Sequence, residues 1–388
     1  MTAAGSGTPT ISRWSAAGSW LGPWQRAAGY AVLLAGAGTA GLVFGLWNGE
    51  RPERVAGTAA SPGTDPGALT AWGLPAVRLA VVVAVVGTVG MLVGALLLPR
   101  EDGRLGAAAL RCLRSAAWAA VAWAAVVPAL LVFSWSEFTR LPVTQATVAQ
   151  IFGEPKPYAD ALPYLYATGL ALVIAAAAAI TRKASGVIVV LVLAGYNLLP
   201  ITTLGRQMDG RIIGTVVTVH VLAFAVWVGS LAALLVHARR SPALLAVAVP
   251  RFNRLALVCF AVVAVFGVIA AWISLGSVAE ARGSHFGMLV FYKAEALVAL
   301  GVFAWWHRRR IIPDLRRERG NRPFVRFAAI EIAVMVATIG LGIALSSTAA
   351  PAAPEPTRPI DSSTTYPPVV APPPAGPVGP AGTPVNLG

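Results

Sequence analysis

The chain has 388 residues, 57% of them hydrophobic and 12% charged, with a net charge of +14 and a mean hydropathy of +0.71. A soluble globule must cover itself largely with polar groups, and this composition leaves too few of them. The arginines behind the net charge fall between apolar runs, which argues against a nucleic-acid surface and fits the bias of membrane loops.

Apolar runs of about 20 residues, the length a bilayer requires, recur along the chain. They predict an all-α fold: a polytopic transmembrane helical bundle of about nine spans. Residues 1–27 read as a cytoplasmic N-terminal segment without a cleavable signal, since Arg13 and Arg26 bracket tryptophans rather than an apolar core. The first five spans, 28–47, 74–98, 115–135, 161–180 and 186–204, make up the part from 28 to 204. Two outer loops interrupt them, 48–73 and 136–160, and the second is expected to fold against the bundle. The remaining spans, 212–236, 255–275, 286–306 and 327–345, fall in the part from 205 to 346. From 347 to 388 the chain is rich in Pro, Ala and Gly, including PPPAGPVGP, and reads as a disordered outer tail or linker.

Orientation follows from Lys and Arg. With the N-terminus inside and the C-terminus outside, 20 of the 30 lie in inner segments, eight in outer ones, and Arg78 and Lys293 within spans. The loop from Arg308 to Arg326 is the strongest anchor. Trp47, Trp72, Trp135, Trp272, Trp305 and Trp306 fall near span ends, as an aromatic belt does. Cys112 and Cys259 lie toward the cytoplasm and are expected to be reduced thiols.

The sixth span carries His220 and, two helical turns on, Trp227 on the same face. Gly229 and Ala233 behind them form a small-xxx-small pair that admits a neighbouring helix. A polar imidazole in a membrane helix is costly unless it has a partner or a task. Asn197, Lys293 and Glu295 share its depth in the outer half of the bilayer, with Tyr292 beside them. Together with Trp227 they are expected to shape one polar cavity. Lys293 and Glu295 point to different faces of their helix. Glu331, in the inner part of the ninth span, is expected to pair with an arginine of the adjacent loop.

Toward the outer surface stand Met208, His285 and Met288. Thioether and imidazole are ligands that select Cu(I), so Met208, His285 and Met288 leading down to His220 make a chemically sensible metal path. A hydrogen-bonded histidine that fixes helix packing is the competing reading of His220, and gap-filling is that of the methionines. With four histidines in all, and only His220 well inside a span, a bis-histidine haem is not supported. No Walker loop, GxSxG elbow or HExxH is present, so neither an ATP-driven pump nor a hydrolase, and no enzymatic activity, is expected.

Five motifs in order carry a family resemblance: HVLAFAVWVGSLAAL from His220, PRFNRLAL from Pro250, FGMLVFYK from Phe286, HRRRIIPDL from His307 and RFAAIEIAVM from Arg326. From about residue 198 to 351 the chain resembles the copper resistance protein D (CopD) family of bacterial membrane proteins. It departs where Gly205 precedes Arg206 rather than a histidine, and where Ser230 replaces a second glycine. The whole is similar to the front half of actinobacterial proteins that fuse this domain to a terminal-oxidase assembly domain. The resemblance implies a copper-handling permease of the cytoplasmic membrane, moving copper ions from the outer side inward. His220, Trp227 and Lys293 would be recurrent positions, and the partners would be copper, the lipid bilayer and a periplasmic copper carrier or oxidase subunit. A non-transporting scaffold for oxidase maturation is the alternative.

Overall fold

A computed structural model describes residues 23–48, 66–101, 104–152, 161–203, 208–239, 241–275, 282–316 and 322–347. The runs of Ala, Val and Leu become helices because each backbone group in an apolar solvent must be satisfied within its own segment. In chain order these are α1 (Pro23–Asn48), α2 (Gly67–Leu97), α3 (Ala107–Thr139), the short α4 (Val148–Phe152), α5 (Leu162–Ile180), α6 (Ala184–Thr203), α7 (Met208–His237), α8 (Pro242–Leu275), α9 (His285–Arg316) and α10 (Arg322–Ser346). Two-residue strands, β1 (Arg100–Glu101) and β2 (Arg104–Leu105), pair antiparallel between α2 and α3. Among the described residues seven helices are long and apolar enough to cross a membrane, and a shorter apolar stretch runs Ala184–Leu199 within α6.

The helices overrun the expected spans. α8 begins at Pro242 and passes through Pro250, so PRFNRLAL lies inside a helix rather than ahead of one. The second outer loop does fold back, through α4, whose Ile151 is buried. Trp47, Trp72, Trp272 and Trp305 are exposed as belt residues should be, but Trp135 is buried. Beyond Ser347 the expected tail lies outside the described residues.

Two close crossings organise the bundle. On α7, Gly229 meets Gly90 of α2 backbone to backbone, and Ala233 meets Gly94 one turn on. A Cβ on Gly90 or Gly229 would run into the other helix's backbone, so this approach exists only because both residues lack one. The pair expected from Gly229 and Ala233 thus has its partner in Gly90 and Gly94. The second crossing joins α1 to α10, where Gly41 lies against Ala337, Gly45 against Ala344, and Gly340 against the backbone at Gly38 and Leu42.

Polar contacts gather alternate helix ends at two poles. At one, Thr70 bonds Ser136 (2.7 Å), Arg78 donates to Ser347 (3.3 Å) and His285 donates to Asn48. At the other, Arg251 donates to the Leu97 carbonyl (3.0 Å), Ser115 bonds His237 (3.1 Å), and the Leu105 amide bonds Arg182 (3.4 Å). Arg251 serves one of the carbonyls that the end of α2 leaves without an intrahelical donor. Both cysteines are free and buried.

Candidate functional site

α7 divides its two faces cleanly. Gly229 and Ala233 turn to α2, while His220 and Trp227 turn to α8, as 100° per residue requires. The His220 Nδ1 lies 3.0 Å from the Val263 carbonyl oxygen. A carbonyl only accepts, so Nδ1 carries the proton, and in the neutral ring the lone pair sits on Nε2. The imidazole lies against Gly267, one turn beyond Val263. A Cβ there would stand 3.1 Å from its Cε1 and 3.4 Å from its Nδ1. Gly267 leaves the room that the ring fills.

On α9, the Lys293 Nζ comes within 3.4 Å of where a Cβ on Gly342 of α10 would be. His220 on α7 and Lys293 on α9 thus stand on two helices that each pack against α8 and α10. Among the described residues Lys293 has neither a hydrogen bond nor an ion pair. Toward the far end of α7, Trp227 is 1% exposed and meets Phe260 of α8 edge to face, with centroids 5.8 Å apart. Its Nε1 has no described acceptor. Phe260 in turn abuts Gly301 of α9.

At the start of α9, His285 is exposed and donates through Nδ1 to the carbonyl of Asn48, 2.7 Å away at the end of α1. It lines an open groove of ≈ 480 Å³ together with Arg282, Ser284, Met288 and Phe291. His285 and Met288 thus line the same groove. Eight residues of α9 separate His285 from Lys293, about 12 Å of rise. Met208 opens α7, but its side chain lies outside the described ones.

The single cavity expected from shared depth divides. Asn197 is fully buried, but its amide donates to the Ala167 carbonyl of α5 (3.1 Å), away from His220, and its Oδ1 has no described partner. On α7 it is Leu222, not His220, that lies against α6, at Gly195. Tyr292 packs on Phe44 of α1, with centroids 5.4 Å apart. Glu295 is exposed on the outer face of α9. Depth follows from position in the chain, whereas azimuth follows from which helices pack together. Glu331 is buried.

Sequence reasoning passed over Gly267 and Gly342, which make space for the ring and the ammonium, and the Val263 carbonyl. An isolated glycine inside an apolar helix, as in FGVIA or LGIAL, was the available signal, since it marks close approach. Among the described residues no group of three or more His, Cys, Asp or Glu is placed to hold a metal ion. His220 on α7 and the His285–Met288 groove on α9 belong to different helices.

Residues 246–345 match the family model described as copper resistance protein D. The matched stretch is about a quarter of the chain and is similar to the CopD family. No curated protein and no solved structure matches it. The CopD match is narrower than the resemblance expected from about 198 to 351. It contains Val263, Gly267, Lys293 and Gly342, and also the groove residues His285 and Met288. His220 and Trp227 lie ahead of it, on α7. The CopD-like stretch thus supplies the Val263 carbonyl and Gly267 that meet His220, and the preceding helix supplies the imidazole. With seven membrane-length helices among the described residues, the chain is a multi-pass membrane protein that carries a CopD-like stretch.

Proposed function

We propose that this protein is a copper-handling permease of the bacterial cytoplasmic membrane, taking copper ions from the outer side inward. The observation that carries the reading is the His220–Val263 bond. It ties down one ring nitrogen and leaves the other as a lone-pair donor inside an apolar bundle. A ligating histidine is commonly oriented in this way, through the nitrogen that does not bind the metal. The groove at His285 and Met288 supplies imidazole and thioether at the pole that the charge count puts outside, where a periplasmic copper carrier would deliver its ion. Scattered single ligands suit passage better than storage, because a transported ion must leave each site as readily as it binds.

The test is metal analysis of detergent-purified protein after Cu(I) loading under reducing conditions, wild type beside His220→Ala, with copper accumulation in cells measured in parallel. Retained copper and accumulation are both expected to fall in the variant. Unchanged uptake at normal protein level would remove His220 from the path.

One observation favours a second reading, a scaffold for oxidase maturation. Glu295 presents a carboxylate on the outer face of α9 within its membrane-length portion, where lipid alone is a costly neighbour and another polypeptide is a better one. Co-purification with an oxidase subunit, lost in Glu295→Gln but kept in His220→Ala, would support it over transport.

A further inference from the structure

We propose that the outward face of α9 seats a transmembrane helix of another protein, one that carries a Lys or Arg at the middle of its span. This holds whether or not the chain carries copper, and it gives the polypeptide contact noted at Glu295 its chemistry.

Glu295 lies ten residues from His285 and eight from Phe303, the ends of the membrane-length part of α9. That is about 15 Å and 12 Å of helix rise, farther than a glutamate side chain reaches toward either interface. Its side chain is exposed, and among the described residues it has neither a hydrogen bond nor an ion pair. The helices packed against α9 bring no cation to this depth. Arg26 stands in the first turn of α1, Arg251 and Arg254 lie in the first half of α8, and Arg322 and Arg326 open α10, all toward the pole opposite His285. Lys293, two residues before Glu295, is turned to Gly342.

The face around Glu295 has the spacing of a helix seam. Phe291, Glu295, Val298 and Val302 recur at intervals of four, three and four residues, and all four are exposed. Two helices pack along such a seam at about 20°. Ala299, exposed one turn beyond Glu295, keeps the surface shallow there, so a partner backbone can come close. By contrast, the exposed face of α8 over Val265, Val268 and Trp272 holds no charge and suits lipid. Phe291 also lines the groove of His285 and Met288, so a helix seated on this face stands beside that groove.

Charge decides the occupant. In hydrocarbon a carboxylate is offset by an opposite charge and by hydrogen-bond donors, and a partner cation at the same depth supplies both. A second copy supplies neither. A two-fold contact about this seam brings two carboxylates together. Among the described residues, the exposed arginines of the membrane-length helices are Arg111, Arg114, Arg251 and Arg254, which gather toward the pole where Ser115 and Arg251 are bonded.

The experiment reads helix association and not copper, so its failure leaves the permease reading standing. The full chain, reconstituted in phosphatidylcholine vesicles with a donor fluorophore, is mixed with acceptor-labelled single-span Leu–Ala peptides that carry either Lys or Leu at mid-span. Energy transfer is expected to show the Lys peptide bound more tightly than the Leu peptide by about threefold or more. Glu295→Gln should bring the two peptides level, and Glu295→Asp should keep the preference. Val298→Trp, which blocks the seam without touching the charge, should weaken binding of the Lys peptide. Equal binding of both peptides by wild type overturns the proposal, as does a preference that survives in Glu295→Gln. Binding of neither peptide leaves the face to lipid and overturns it too. Energy transfer between two labelled pools of the full chain, lost in Glu295→Gln, would assign the face to a second copy instead.

Discussion

Gly229→Ala is the smallest change that tests how α7 is held. A Cβ on Gly229 would collide with the Val86 carbonyl oxygen and the Gly90 Cα, and would stand 3.0 Å from the Gly90 nitrogen. All three are backbone atoms, so no side chain can rotate away. Non-bonded carbons rest about 3.5–4.0 Å apart, so α2 and α7 must separate by about 1 Å. That loosens the Gly94–Ala233 contact one turn on and the packing of Leu231 and Leu234, both fully buried. Overpacking of this kind costs about 1–3 kcal/mol, and backbone-to-backbone collision belongs at the upper end. Replacing a helical glycine by alanine returns about 1 kcal/mol of propensity. The expected net loss is therefore about 1–2 kcal/mol. Gly169→Ala on α5 is the control, because a Cβ there meets nothing within 4 Å and should stabilise by up to about 1 kcal/mol. Thermal unfolding in detergent, followed by circular dichroism, separates the two. If Gly229→Ala melts no earlier than Gly169→Ala, the crossing is not the close contact reasoned here.

Gly267→Ala should push the His220 ring aside by a few tenths of an ångström and lower copper retention with little change in melting temperature; retention equal to wild type would show that the ring's posture does not matter. Trp227→Phe keeps the edge-to-face contact with Phe260 and drops an N–H that has no described acceptor, so it should cost less than about 1.5 kcal/mol, against about 3–5 kcal/mol for Trp227→Ala. Chemical denaturation of the two variants measures the difference, and equal losses would mean that the indole N–H is bonded after all. Arg251→Gln removes the donor to the Leu97 carbonyl at the end of α2, for an expected loss of about 1 kcal/mol and faster proteolysis of the turn from β1 to β2. Unaltered cleavage there would contradict the capping role.

Composition and hydropathy alone determined that the chain is an α-helical membrane protein, because apolar runs of bilayer length admit no other secondary structure. Local spacing was equally legible. Two turns between His220 and Trp227 put both toward α8, and Gly229 with Ala233 had to admit a neighbour, whichever helix that proved to be. Order along the chain also gave depth. What the tertiary structure decided was azimuth and company. That α2 brings Gly90 and Gly94 to α7, that Asn197 turns to α5, that Tyr292 joins Phe44 and that Glu295 faces outward all depend on which helices are neighbours. An apolar helix with weak sidedness does not announce its neighbours, because nearly every face is acceptable to lipid. The Val263 carbonyl that orients His220 belongs to the backbone and has no signature among residue types. Gly267 and Gly342 were visible as letters, but the ring and the ammonium that need their missing side chains come from other helices, 43 residues or more away in the chain, and only packing joins them.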